Sequence, residues 1–357
     1  MTVLAFQPWG NYALPLAASA ESFGVECWTS TSSTPEILRL GVEASPEFSC
    51  LPFKASTGHF IKAAQDGAEY GVIVNSVGKC RLRYYRAVQQ KILKKRGLDL
   101  FIFGLGYDGF KPPLIRHFDP DLWPFLRSVA RAIRKLGAVD LLEKTAWQTR
   151  AVEQHTGDTT RTMNECLGEL EKARTVPEIR ALKQTILARF ETIQTITDRI
   201  PLRVGLVGEA TLLSDRYLNH NIEEILGSLG VEVNNYFLLG AELRKIFHLG
   251  LRSQHSRRTL LMLARPYLKS LVGGHALESV AYTIRCANED YDGIVHVCPS
   301  GCMPEVSIRP ILRKISRDRD IPLLECSFDE HTSHVGVVTR LEAFVDILYG
   351  RRKKKRS

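Results

Sequence analysis

Short apolar runs alternate with amphipathic stretches in two separate blocks of the chain, and the two periodicities together predict an α/β fold. In the first block, Val3 to Phe6, Val25 to Thr29, Gly71 to Val77 and Leu100 to Gly104 have the length and residue types of strands, with helical patterns between them. The second block repeats the theme at Val204 to Gly208, Val231 to Tyr236, Gly293 to Val297 and Pro322 to Ser327. Thr34-Pro35-Glu36 reads as a helix start, because proline at the first helical position lacks only an amide that would be unpaired anyway. Asn219 or Asn221 is expected to cap a helix ending near Gly230. Residues from about 120 to 200 lack strand signals and carry helical periodicity instead. The pattern predicts an N-terminal α/β lobe over residues 1–120, a helical insert or bridge over 121–200, a C-terminal α/β lobe over 201–350 and a basic tail at 351–357. The two lobes are expected to be doubly wound and to face a cleft.

Composition narrows the class. A chain of 357 residues is long enough for two cores, and 44% hydrophobic with 24% charged residues is ordinary for a globular protein. No apolar stretch approaches the roughly 20 residues of a membrane span, and MTVLAFQPWGNY lacks the basic and apolar segments of a signal peptide, so a cytoplasmic protein is expected. The formal charge of +9 owes part of its excess to the run Arg351 to Arg356, read as a solvated tail. No RNA-recognition, zinc-finger or helix-turn-helix signature accompanies it, so nucleic acid is not an expected partner.

Two nucleotide-binding decoys fail. Ser76-Val77-Gly78-Lys79-Cys80 ends like a phosphate-binding loop, yet the earlier glycine falls at Ile73 and a cysteine replaces the final hydroxyl. Gly205-Leu206-Val207-Gly208-Glu209 lacks dinucleotide-fingerprint spacing, and its acid would repel phosphate.

Eight cysteines are too sparse for a disulfide framework. Cys27 in a strand, with Cys166 and Cys286 in helical segments, reads as a buried hydrophobe; Cys326 at a strand end is ambiguous. Three others sit in tight loops. Cys50 lies in the proline-bracketed SPEFSCLPFK, Cys80 follows a strand and a glycine in VIVNSVGKC, and Cys302 follows a strand in HVCPSGCMPE. If the lobes face each other, these loops converge on the cleft. Thiolates so placed suit an iron–sulfur cluster, whose properties are tuned by burial and nearby amides, or a structural zinc. Zinc normally draws thiolate pairs at close spacing, and Cys298 and Cys302 are the only near pair; spacing leaves the metal open.

The segments FQPWGNYALPLAASAESFGVE, GVEASPEFSCLPFKASTGHFIKAAQDGAEYGVIVNSVGKCRLRYYRAVQQKIL, GLVGEA, GCMPE and FDEHTSHVGVVTRLEAFVDIL resemble the 2-hydroxyacyl-CoA dehydratase superfamily, and more narrowly its acyl-CoA dehydratase activase-related branch. The resemblance runs through both lobes. It implies flavodoxin-like lobes and an oxygen-sensitive iron–sulfur cluster of the 4Fe-4S type, or a double-cubane cluster, on Cys50, Cys80 and Cys302. It also implies low-potential electron transfer, as a dehydratase-like or reductase component reduced by a separate ATP-dependent activator that carries its own cluster. A homodimer, or a heterodimer with a paralogous subunit, is the expected assembly. A non-catalytic electron carrier or maturation partner, and a zinc-stabilised α/β binding protein, are the alternatives.

The chain departs from the usual pattern of these proteins at three places. Lys79 stands where proline is common, Arg83 where glycine is often found, and Cys298 at a position more often apolar. Extra cationic charge near a cluster would favour its reduced form. Cys298 is a possible further ligand, a spare thiol or a redox-sensitive residue. Glu209, Glu305 and the trio Asp329-Glu330-His331 are the polar groups nearest the expected cleft, with His331 read first as a loop histidine and proton donation as its alternative.

Overall fold

The computed structural model describes residues 2–28, 32–74, 79–105, 113–246 and 256–356. Its eight strands fall where the apolar runs predict: β1 Val3–Phe6, β2 Glu26–Trp28, β3 Tyr70–Val74, β4 Phe101–Leu105, β5 Leu202–Gly208, β6 Val231–Asn235, β7 Gly293–Pro299 and β8 Leu323–Phe328. Thr29 and residues 75–78, which include part of the first decoy, lie outside the described residues. The strands form two four-stranded parallel sheets, ordered β2-β1-β3-β4 and β6-β5-β7-β8. Apolar clusters cover both faces of each sheet. Alternation along the strands sends Ala5, Ile73 and Ile102 to one face of the first sheet and Leu4, Val72 and Phe103 to the other.

The first lobe carries α1 Ala13–Ala20, α2 Pro35–Ala44, α3 Leu51–Gln65, α4 Tyr85–Lys95 and α5 Pro113–Phe118. Thr34 caps α2 as expected, its side chain accepting from the Ile37 amide at 3.2 Å. Three long helices follow, α6 Leu122–Arg150, α7 Asp158–Lys172 and α8 Val176–Glu191. Leu142, Ala146, Met163, Leu170 and Ile186 share one core with Leu202, Val204 and Leu206 of β5, and α6 packs on α1 as well as on β6.

The second lobe adds α9 Ala210–Ser214, α10 Ile222–Ser228, α11 Leu239–Ile246, α12 Arg257–Ala264, α13 Ala276–Asn288, α14 Met303–Asp318 and α15 His334–Arg356. Two expectations need correction here. Asn221 occupies the cap position of α10 but makes no side-chain cap, since its φ of 59° turns it left-handed, while Asn219 donates to the Leu212 carbonyl at 2.6 Å. The basic run 351–356 is no separate tail: it is the last turns of α15, where Arg351 bridges to Asp320 at 2.7 Å and Arg352 to Asp292 at 2.5 Å.

The lobes meet at the carboxyl ends of both sheets. Trp9 after β1 stacks on Phe237 with centroids 5.6 Å apart. Buried Asp215 accepts from Ser32 Oγ (2.9 Å), Ser33 Oγ (2.6 Å) and the Ser33 amide (3.0 Å), and His59 Nε2 lies 3.3 Å from Ser33 Oγ. Buried Lys54 pairs with Glu330 across the same seam. No helix among the described residues is long and apolar enough to cross a membrane.

Candidate functional site

In both sheets the strand order reverses between the two central strands, so the connections from their carboxyl ends leave in opposite directions and open a crevice. The crevices of the two lobes face each other and merge into a cavity of about 160 Å³. Gln7, Pro8 and Trp9 line it from the end of β1, Val74 and Cys80 from β3, Glu209 and Thr211 from β5, and Cys302, Pro304 and Glu305 from β7. Cys50 and Tyr85 complete the wall, with His275 opposite. The three thiols from distant loops are therefore brought together.

Each sits at the start of a helix. Cys50 is the cap residue of α3 and Cys302 of α14, both followed by a proline in the first turn. Cys80 caps a 3-10 turn, Arg81–Tyr84, that leads directly into α4. The unpaired amides at a helix start favour an anionic sulfur by about 0.3–1 kcal/mol each. Gly301, at φ 74°, turns the chain between Pro299 and Cys302. Arg81 ties the three loops: its guanidinium donates to the Phe48 carbonyl at 3.4 Å, beside Cys50, and to the Gly301 carbonyl, beside Cys302. Gly273 closes the Cys80 loop from the second lobe. A Cβ there would lie 2.8 Å from the Cys80 amide nitrogen.

Burial pushes the Cys50 thiol up, partly offset by the Tyr85 hydroxyl against its sulfur and by the Phe53 amide. Burial, followed by the carboxylates of Glu305 and Glu209, pushes Cys302 well above the ordinary thiol range. Glu209, whose side chain caps α9 through the Leu212 amide at 3.1 Å, is itself raised by burial. Behind Cys302, Glu305 Oε2 meets His296 Nε2 at 2.9 Å and accepts from Ser279 Oγ at 3.0 Å, while Glu305 Oε1 and His296 Nδ1 are buried with no hydrogen-bond partner among the described residues.

The donor set thus comprises three thiols and two carboxyl groups, and no lysine or arginine stands among the described lining residues. Burial favours the neutral thiol at Cys50 and Cys302, and a metal core bound there would reverse this by deprotonating the thiols it ligates. Among the described residues, no three His, Cys, Asp or Glu side chains are drawn together as a site for a metal ion. The three thiols line one cavity, where they are the residues that could hold a metal centre.

The other sulfurs lie elsewhere. Cys298 is buried within β7, pushed up to about 12 by burial, and does not line the cavity. Cys27, Cys166, Cys286 and Cys326 are packed in strands or helices. His331 is exposed in the turn where its amide donates to Asp329 at 3.0 Å, outside the cavity wall; Glu209 and Glu305 are in it. Sequence reading missed His275, Tyr85, the His296–Glu305 pair and Arg81. A polar histidine inside the apolar run IVHV was the one visible signal.

The sequence matches no protein-family model and no curated protein.

Proposed function

We propose that this chain is an iron–sulfur protein of low-potential electron transfer, with Cys50, Cys80 and Cys302 as the ligands of a 4Fe-4S cluster. One observation carries the reading: three cysteine loops, each opening a helix, converge on one cavity at the carboxyl ends of both sheets. The strand order 2-1-3-4 in each sheet supports viewing the lobes as flavodoxin-like. When bound, the cluster would supply one-electron chemistry at this cavity. The chain's own residues bury the sulfurs, direct helix amides at them and place Glu209 on the wall as a proton-holding group, with the Glu305 carboxyl beside it.

The favoured role is a 2-hydroxyacyl-CoA dehydratase-like or double-cubane-like reductase component in the cytoplasm, reduced by a separate ATP-dependent activator. The failed phosphate-binding loops support a separate energy source. A non-catalytic electron carrier is the alternative role, distinguished by turnover in the presence of an activator. The test of the ligand set is iron and acid-labile sulfide content after anaerobic purification. Cys50→Ala, Cys80→Ala and Cys302→Ala should each lose most of both, and Cys27→Ala and Cys166→Ala should keep them. Full retention in all three loop variants would refute the assignment.

A further inference from the structure

The second sheet ends at β6, and a recess of about 270 Å³ lies along that edge. Residues 232–236 line it with side chains from both faces of the strand, while no β5 residue does, so the recess opens on the edge of the sheet and not on a face. On one side α6 walls it with Lys144, Trp147 and Gln148, and on the other α13 does so with Arg285 and Glu289. Among the described residues it shares none with the cysteine cavity.

The register fixes which main-chain groups reach the recess. Leu202 donates to the Gly230 carbonyl at 3.2 Å and Tyr236 to the Leu206 carbonyl at 3.3 Å, so the even-numbered residues of β6 face β5. The N–H and C=O groups of Val231, Val233 and Asn235 therefore point away from the sheet, and no main-chain bond among the described residues meets them there. An edge of this kind is a template for another strand. This one is set back between α6 and α13, with exposed Lys144 and Gln148 on the rim. The equally recessed edge of a second copy cannot enter it, whereas a single extended chain can.

A second observation marks the recess as a place for a ligand. Trp147 is only 5% exposed, and its indole N–H has no hydrogen-bond partner among the described residues. A buried donor without an acceptor is costly, and an incoming carbonyl would supply the missing group. Trp147 and Leu238 make one wall apolar, and Arg285 with Glu289 makes the other charged.

We propose that this recess binds an extended peptide, which joins β6 as an added strand of the second sheet. Its main chain exchanges hydrogen bonds with Val233, and its side chains alternate, one apolar against Trp147 and Leu238 and the next polar against Arg285 and Glu289. The site does not depend on the group held by the cysteines.

The probe is a displayed library of random heptapeptides, selected against the full chain and, in parallel, against Gln148→Trp, whose larger side chain fills the recess from its rim. Peptides recovered on the wild type alone are synthesised with a single N-methyl group stepped along the main chain and titrated by fluorescence anisotropy. Methylation should weaken binding roughly tenfold or more at every second position and little at those between, because only alternate amides of an added strand face β6. Trp147→Phe, which keeps an aromatic ring and removes the N–H, should bind the same peptides several-fold more weakly with circular dichroism unchanged. No peptide specific to the wild type, losses without the two-residue period, or equal binding by Trp147→Phe overturns the proposal. So does a wild-type dimer in sedimentation that Gln148→Trp dissociates, which would make this edge a contact between copies.

Discussion

Gly273→Ala tests whether contact between the lobes shapes the cysteine site. Gly273 has a φ of 93°, and a Cβ on it would lie 2.8 Å from the Cys80 amide nitrogen and 3.0 Å from that of Lys79. Both are backbone atoms, so no side-chain rotation relieves the clash. Gly67, at the end of α3, has the same φ of 93° but nothing within 4 Å of the corresponding position. Gly67→Ala therefore measures the cost of the left-handed backbone alone, about 1–2 kcal/mol for an L residue. Gly273→Ala should add an overpacking cost of roughly 1–3 kcal/mol, because the Cys80 loop must shift to admit the methyl group. Urea unfolding of the two variants reads the difference as separate midpoints, and iron content reads its consequence. Gly273→Ala should lose iron and Gly67→Ala should not. Equal stability and full iron in both would mean that the Cys80 loop is not held by the second lobe.

Two further outcomes follow from the burial of particular groups. Cys298→Ser should leave the electron paramagnetic resonance signal of the reduced protein largely intact, since Cys298 lies inside β7, whereas Cys302→Ser should abolish or strongly alter it; the reverse pattern would make Cys298 the ligand. Burial lowers the pKa of His59 to about 3, so the folded protein keeps it neutral while the unfolded chain protonates below its ordinary value of 6.5. Stability from this group is complete above that value and is lost as pH falls toward 3. Urea unfolding at pH 7 and 5.5 should show about 1 kcal/mol more acid sensitivity in the wild type than in His59→Gln. Equal sensitivity would mean that His59 charges within the fold, through Ser33, against Asp215.

Local sequence determined the elements. Apolar runs set eight strands to within a residue or two, except where Thr29 and residues 75–77 lie outside the described residues, because a strand buried on both faces must be apolar along its length. Thr34-Pro35 set the start of α2, because capping and proline chemistry act over one helical turn. The same local logic picked out Cys50, Cys80 and Cys302, each in a tight loop between elements. What required tertiary structure was everything made by two distant segments. Arg81 reads as one more surface cation until packing sets it against Phe48 and Gly301. His275 and Tyr85 join the cavity wall from segments with no shared motif, and His296 finds Glu305 only because β7 and α14 fold back on each other. The run 351–356 looks like a solvated tail by composition, yet Asp292 and Asp320 lie beside it once α15 has packed against the second sheet. Charge and burial are pairwise properties in space, so a sequence names the groups while the packing of the two lobes decides which of them meet.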